Sequence, residues 1–176
     1  MTDNRTSISV EVAREIVRQG EMRLEASLAL TSLGVTRATT LCGIFGGAAV
    51  ALLAALLAYI GAPHHSARLI WAAGITTPLL FAASVLAAVA GASRDFMGVG
   101  AIPEKLRTWA ANTYRTERRW ATETELLETI AEQLDKTIAK NAQLLRYEGR
   151  LVNLSLVVAL GSLAAGLLAY WVVPIF

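Results

Sequence analysis

The sequence predicts an all-α membrane protein: three transmembrane helices, an amphipathic helix before the first, and a cytoplasmic helical hairpin between the second and third. Three observations lead there. Hydrophobic residues fill 55% of the 176 positions and charged residues 17%, with mean hydropathy +0.49; soluble domains run near 45–50% and about 25%. The charges also leave three gaps. Only Cys42 and Tyr59 are ionisable between Arg37 and His64, nothing is between Arg68 and Arg94, and only Tyr170 follows Arg150 before the terminal carboxylate. Finally, the polar insert between the last two gaps contains no Gly or Pro from Glu104 to Glu148, as a long helical segment requires.

The gaps cover 38–63, 69–93 and 151–176, about 25 residues each. Roughly 20 apolar residues cross a hydrocarbon core of about 30 Å, so all three are long enough. Helices in the core of a soluble bundle normally keep one face in water, and that face would carry charge. A cleaved signal peptide does not fit either, because 37 polar or amphipathic residues precede the first gap. The resulting division is 1–37, 38–93, 94–150 and 151–176.

Lys and Arg set the expected orientation. Arg5, Arg14, Arg18, Arg23 and Arg37 precede the first span, while the loop "GAPHHSAR" holds only Arg68. The segment between the second and third spans carries ten cations. The N-terminus and residues 94–150 are therefore expected in the cytoplasm of a bacterial inner membrane, with the first loop and C-terminus outside.

Residues 8–33 show helical spacing of Ile8, Val12, Ile16, Leu24 and Leu28, with Glu and Arg mixed on other faces. That mixture favours packing against protein over lying on lipid. Gly20 reads as a weak point, and the helix either runs into the first span or bends at Gly34. In that span Gly43, Gly46 and Gly47 permit close approach of another helix; in the third, Ser155, Gly161, Ser162, Ala165 and Gly166 do the same. Thr76, Thr77 and Pro78 mark a kink in the second span. No charge is expected inside the spans, which speaks against a proton relay.

Gly98, Gly100 and Pro103 make a turn after the second span, with Pro103 and Glu104 at a helix start. One helix from there to Glu148 would reach roughly 65–70 Å, yet the chain must return for the third span. The break is expected at "ATET", where Thr122 and Glu125 have capping-box spacing. Beyond it Leu127, Ile130, Leu134, Ile138, Asn141 and Leu145 form a coiled-coil-like seam, an expected oligomerisation surface with Asn141 fixing register.

The stretch "TYRTERRW" is the one dense basic and aromatic cluster. On a helix Arg107, Arg115, Arg118 and Arg119 share about a third of the circumference, with Tyr114 at its border. It reads as a solvated face, a contact for anionic headgroups, or a site for a phosphate-bearing ligand such as a nucleotide or nucleic acid. No nucleophile, Walker or metalloprotease motif is present, so an enzyme is not expected, nor any cofactor. Cys42 stands alone, and His64 and His65 lack nearby carboxylates; no metal is expected.

The segments "RATTLCGIFGGAAVALLAALL", "RDFMGVGAIPEKLRTW" and "LDKTIAKNAQLLR" resemble small bacterial antiviral membrane effectors encoded beside nucleotidyltransferases. That group includes SLATT-type effectors, from whose two-span pattern the third span departs, and the membrane effectors of Hailong systems. The resemblance implies a homo-oligomeric ion channel, a tetramer, in the lipid bilayer. It also implies gating by a short DNA or nucleotide signal made by the partner nucleotidyltransferase, with growth arrest on opening. Carried onto this chain, it makes Arg107, Arg115, Arg118 and Arg119 contacts for that signal. Thr39, Thr40 and Gly43, hydroxyl and small residues near the inner end of the first span, are the expected pore-lining residues, and the charge-free spans fit a pore closed by dewetting of an apolar constriction. A holin-like permeabilising protein and a ligand-free membrane scaffold are the alternatives.

Overall fold

In the computed structural model the described residues are 9–62, 66–92, 103–117 and 122–173, with side chains undescribed at 103–107, 110 and 117. They form four helices: α1 (Val10–Ile60), α2 (Ala67–Gly91), α3 (Pro103–Glu117) and α4 (Glu123–Val172). No strand occurs among the described residues. Helices α1, α2 and α4 are long and apolar enough to cross a membrane. The chain runs on through Gly34, and the third apolar stretch continues α4 without a break.

The chain divides into two compact units, Met1–Thr31 with Asp95–Leu144 and Ser32–Arg94 with Leu145–Phe176. The first is called the polar unit and the second the apolar unit. The boundaries drawn from charge at 37/38 and 150/151 lie inside unbroken helices, six residues beyond the divisions at 31/32 and 144/145.

In the polar unit both long helices begin with local caps. The Val12 amide donates to Ser9 Oγ at 3.4 Å. At the start of α4 the Thr122 amide donates to Glu125 Oε2 at 2.9 Å, and the Glu125 amide donates to Thr122 Oγ1 at 3.4 Å. This is the capping box expected from the spacing: each side chain takes up an amide that the first turn leaves without a carbonyl. Ala13 and Leu24 of α1 and Leu134 and Asn141 of α4 are buried. A Cβ on Gly20 would lie 3.0 Å from Leu134 Cδ1, so Gly20 is the notch that admits Leu134.

Of the expected line Ile8, Val12, Ile16, Leu24 and Leu28, Leu24 is buried and Leu28 half-buried, but nearer the start of α1 the packed positions are Ala13 and Gly20 instead. Ile8 lies outside the described residues, and Val12 and Ile16 are 51% and 45% exposed. Helices approach only as closely as the residues between them allow. Ala13 and Gly20 allow a closer approach than Val12 and Ile16.

In the apolar unit α2 runs antiparallel to α1: Gly46 faces Ser84, and Gly91 faces Ala38 and Thr39. It also runs antiparallel to α4, with Gly166 against Thr76 and Ala72, and Arg68 reaching Val173. Helices α1 and α4 are therefore parallel here. Ala49, Leu80, Ala83 and Ala159 form the core, lined by Phe45, Leu52 and Val158. Alanine and glycine at these crossings bring backbones together, and close packing is what holds helices in lipid. Pro78 lies within α2, which continues past it.

Candidate functional site

The aromatic and basic cluster begins on α3. Pro103 at the first position suits a helix start, having no amide hydrogen to leave unsatisfied. Tyr114 and Arg115 lie in the last turns and are exposed; Trp109 is half-buried. Thr113 and Thr116 return their hydroxyls to the carbonyls of Trp109 and Asn112, at 3.1 and 2.8 Å. Arg115, in the last turn, also complements the negative end of the helix dipole. Arg107 belongs to α3 but its side chain is undescribed, and Arg118 and Arg119 lie outside the described residues. Of the five expected ligand contacts, Tyr114 and Arg115 stand next to each other in chain and exposure.

The surrounding field is less basic than that cluster suggests. Within its sequence bounds the polar unit holds eleven Lys and Arg against thirteen Asp and Glu, a net of −2. Several cations are already paired. Arg14 donates from Nε and Nη2 to Glu123 Oε1 at 2.9 and 2.5 Å. Arg18 forks onto Glu15 at 2.8 Å, and Lys136 meets Glu132 at 2.6 Å. The hydrogen bond from Arg18, then that from Gln19, pulls the Glu15 carboxyl down to about 2. Lys136 likewise lowers Glu132. Nucleic-acid surfaces are ordinarily net basic, so any anion site here is local to the α3 end.

The expected pore residues divide. Thr40 and Gly43 lie on an exposed strip of α1 with Ser32, Thr36, Gly47 and Ala51, spaced four, four, three, four and four apart. At 100° per residue Gly43 and Gly47 stand roughly 160° from Phe45, which packs on the core. A Cβ on either glycine would meet nothing within 4 Å, whereas one on Gly46 would lie 3.0 Å from Ser84 Oγ. Thr39 is exposed but turns toward α2: its Oγ1 is 3.4 Å from where a Gly91 Cβ would be. The hydroxyls of Thr36, Thr39 and Thr40 each donate to the carbonyl four residues earlier at 2.9 Å. That bond removes the cost of a hydroxyl in an apolar setting.

The seam on α4 is fully covered by its own chain at two of six positions and partly covered at the other four. Leu134 and Asn141 are buried, Leu134 against Gly20; Leu127, Ile130, Ile138 and Leu145 are half-buried.

Sequence reasoning missed Glu148. It lies three residues before the third charge-free stretch, belongs to the apolar unit and is 5% exposed. Burial on α4 falls at Glu148, Ser155 and Ser162, every seventh residue. Extending the seam's register seven places from Asn141 would have found it. The two serines return their hydroxyls to Val152 and Ala159 carbonyls, and Thr76 Oγ1 donates to Ala72 O at 2.8 Å and Ser162 O at 3.4 Å. Ser84 Oγ donates to the Cys42 carbonyl at 3.0 Å. Among the described residues no three His, Cys, Asp or Glu side chains come together as metal ligands; His64 and His65 lie outside them.

The chain matches no protein-family model, no curated protein and no solved structure.

Proposed function

We propose that the chain is one subunit of an oligomeric ion channel in the bacterial inner membrane, gated by its cytoplasmic helices and acting as an antiviral effector that arrests growth when open. The observation that carries this reading is the strip through Thr40, Gly43 and Gly47. Glycine costs a helix about 1 kcal/mol relative to alanine, and among the described residues nothing lies within 4 Å of where a Cβ on Gly43 or Gly47 would be. Facing subunits, or a pore between them, account for that strip, as close approach between helices does in lipid generally. The strip lies on helix α1, which runs from Val10 to Ile60. Tyr114 and Arg115, with Arg107, Arg118 and Arg119, are the contacts for an anionic nucleotide or short DNA signal. The cation count supports a cytoplasmic N-terminus and cytoplasmic residues 94–150.

A second reading is favoured by the net −2 of the polar unit: a holin-like or scaffold assembly whose polar helices bind no nucleic acid. Ion flux through liposomes containing the purified protein separates the two. The channel reading expects flux in the wild type and its loss in Gly43→Leu/Gly47→Leu. It also expects short single-stranded DNA or nucleotide to change the flux, and Arg115→Gln/Arg118→Gln/Arg119→Gln to abolish that response. Flux that no such ligand alters supports the holin-like reading, and no flux in any state supports the scaffold.

A further inference from the structure

The apolar unit has an arginine rim at one end, and no exposed acid lies within the unit's own sequence bounds to match it. Within its sequence bounds this unit holds five cations and one acid, a net of +4. The acid is Glu148, which is buried. Among the cations, Arg68 at one end is engaged by the chain. Its Nε donates to the Val173 carbonyl at 2.8 Å and its guanidinium lies 5.9 Å from the centre of the Tyr170 ring. At the other end Arg37, Arg146 and Arg150 are exposed, and none has an ion-pair partner among the described residues.

These three stand at one level. Helices α1 and α4 run parallel and meet in the core at Ala49 and Ala159. Arg37 lies twelve residues before Ala49; Arg150 and Arg146 lie nine and thirteen before Ala159. At 1.5 Å per residue the three sit roughly 18, 14 and 20 Å from the core level, about the half-thickness of a hydrocarbon layer and the start of its headgroups. Tyr147, 48% exposed, stands beside them, and tyrosine is enriched at that depth.

We propose that Arg37, Arg146 and Arg150 bind the phosphates of anionic phospholipids, so that the protein selects and retains such lipids at its arginine-bearing end. Charge complementarity fixes the occupant: three guanidinium forks at headgroup depth meet phosphate bidentately, and a basic juxtamembrane segment is drawn to an anionic leaflet. The inference rests only on the apolar unit lying in a bilayer. It holds whether or not the protein conducts ions or binds a soluble signal.

The test is native mass spectrometry of the full chain extracted from vesicles of equal phosphatidylglycerol and phosphatidylcholine. The wild type is expected to retain phosphatidylglycerol in preference to phosphatidylcholine. Arg37→Gln/Arg146→Gln/Arg150→Gln should lower that retention at least fivefold, and the corresponding triple Lys variant should keep most of it. Arg14→Gln/Arg18→Gln/Lys136→Gln, which removes paired cations of the polar unit, should leave it unchanged. Circular dichroism checks that helix content is preserved. If the triple Gln variant does not fold, Arg37→Gln and Arg150→Gln are read singly, each with a partial loss expected. Equal retention of the two lipids by the wild type overturns the proposal. So does undiminished phosphatidylglycerol in the Gln variants, or displacement of the lipid by a short single-stranded DNA.

Discussion

The two units bury residues with similar helical spacing but hold their helices together by different chemistry. In the polar unit the contacts are a leucine in a notch, Leu134 against Gly20, with ion pairs such as Arg14–Glu123 at the rim. In the apolar unit the contacts are glycine and alanine crossings with hydroxyls turned back to carbonyls, as at Thr76, Ser84 and Ser162. The difference is the one expected between helices packed in water and helices packed in lipid. Water drives leucine inward, whereas lipid is as apolar as leucine and leaves close packing and internally satisfied polar groups to do the work. The charges divide accordingly: thirteen of the fourteen acids fall in the polar unit.

Leu134→Ala should break the polar unit hardest. Removing a leucine that is 5% exposed costs about 2–5 kcal/mol, and the cost should appear as early loss of protection in hydrogen exchange over α1 before Thr31 and α4 before Leu145. Next comes a matched pair in the apolar unit. Gly166→Ala puts a methyl into Thr76 Oγ1, which is tied to Ala72 and Ser162, and should cost about 1–3 kcal/mol. Gly161→Ala meets open space and should be neutral or stabilising by up to about 1 kcal/mol. Thermal unfolding in detergent reads both, and equal effects would refute the contrast between filled and open glycines.

Thr122→Ala removes one half of the capping box and should cost about 1 kcal/mol, read as fraying at the start of α4. Smallest is Arg18→Gln. Glu15 sits at about 2 against an ordinary 4.5, so its pairing is complete above about 4.5 and is lost as pH falls toward 2. The substitution should raise the NMR titration midpoint of Glu15 from about 2 toward the ordinary 4.5, stopping short of it because Gln19 still donates to the carboxylate, with little change in global stability because the pair is exposed.

The candidate site was legible unevenly. "TYRTERRW" announced itself by residue type, and α3 presents Tyr114 and Arg115 as exposed neighbours. Its acidic surroundings were countable in the sequence, where all fourteen acids lie outside the charge-free stretches; the structure divides them as thirteen in the polar unit and one, Glu148, in the apolar unit. The glycines of "GIFGG" were indistinguishable in sequence. In the structure Gly46 is filled by Ser84, while Gly43 and Gly47 face outward.

What the sequence determined by itself is what each residue carries with it. Charge-free stretches after Arg37, Arg68 and Arg150 gave three apolar helices, and Thr122 with Glu125 gave a helix start, because hydropathy and capping act within a few residues of one helix. Which face of that helix is packed depends on another helix. Val12 and Ile16 are more apolar than Ala13 and Gly20, yet the small pair faces inward, because depth of approach to Leu134 outweighs the hydrophobicity of one side chain. Glu148 is buried for the same kind of reason: it occupies the next place in a register that begins at Leu134 and Asn141. Only the tertiary structure could decide these, since a contact is a property of two surfaces and the sequence describes them one at a time.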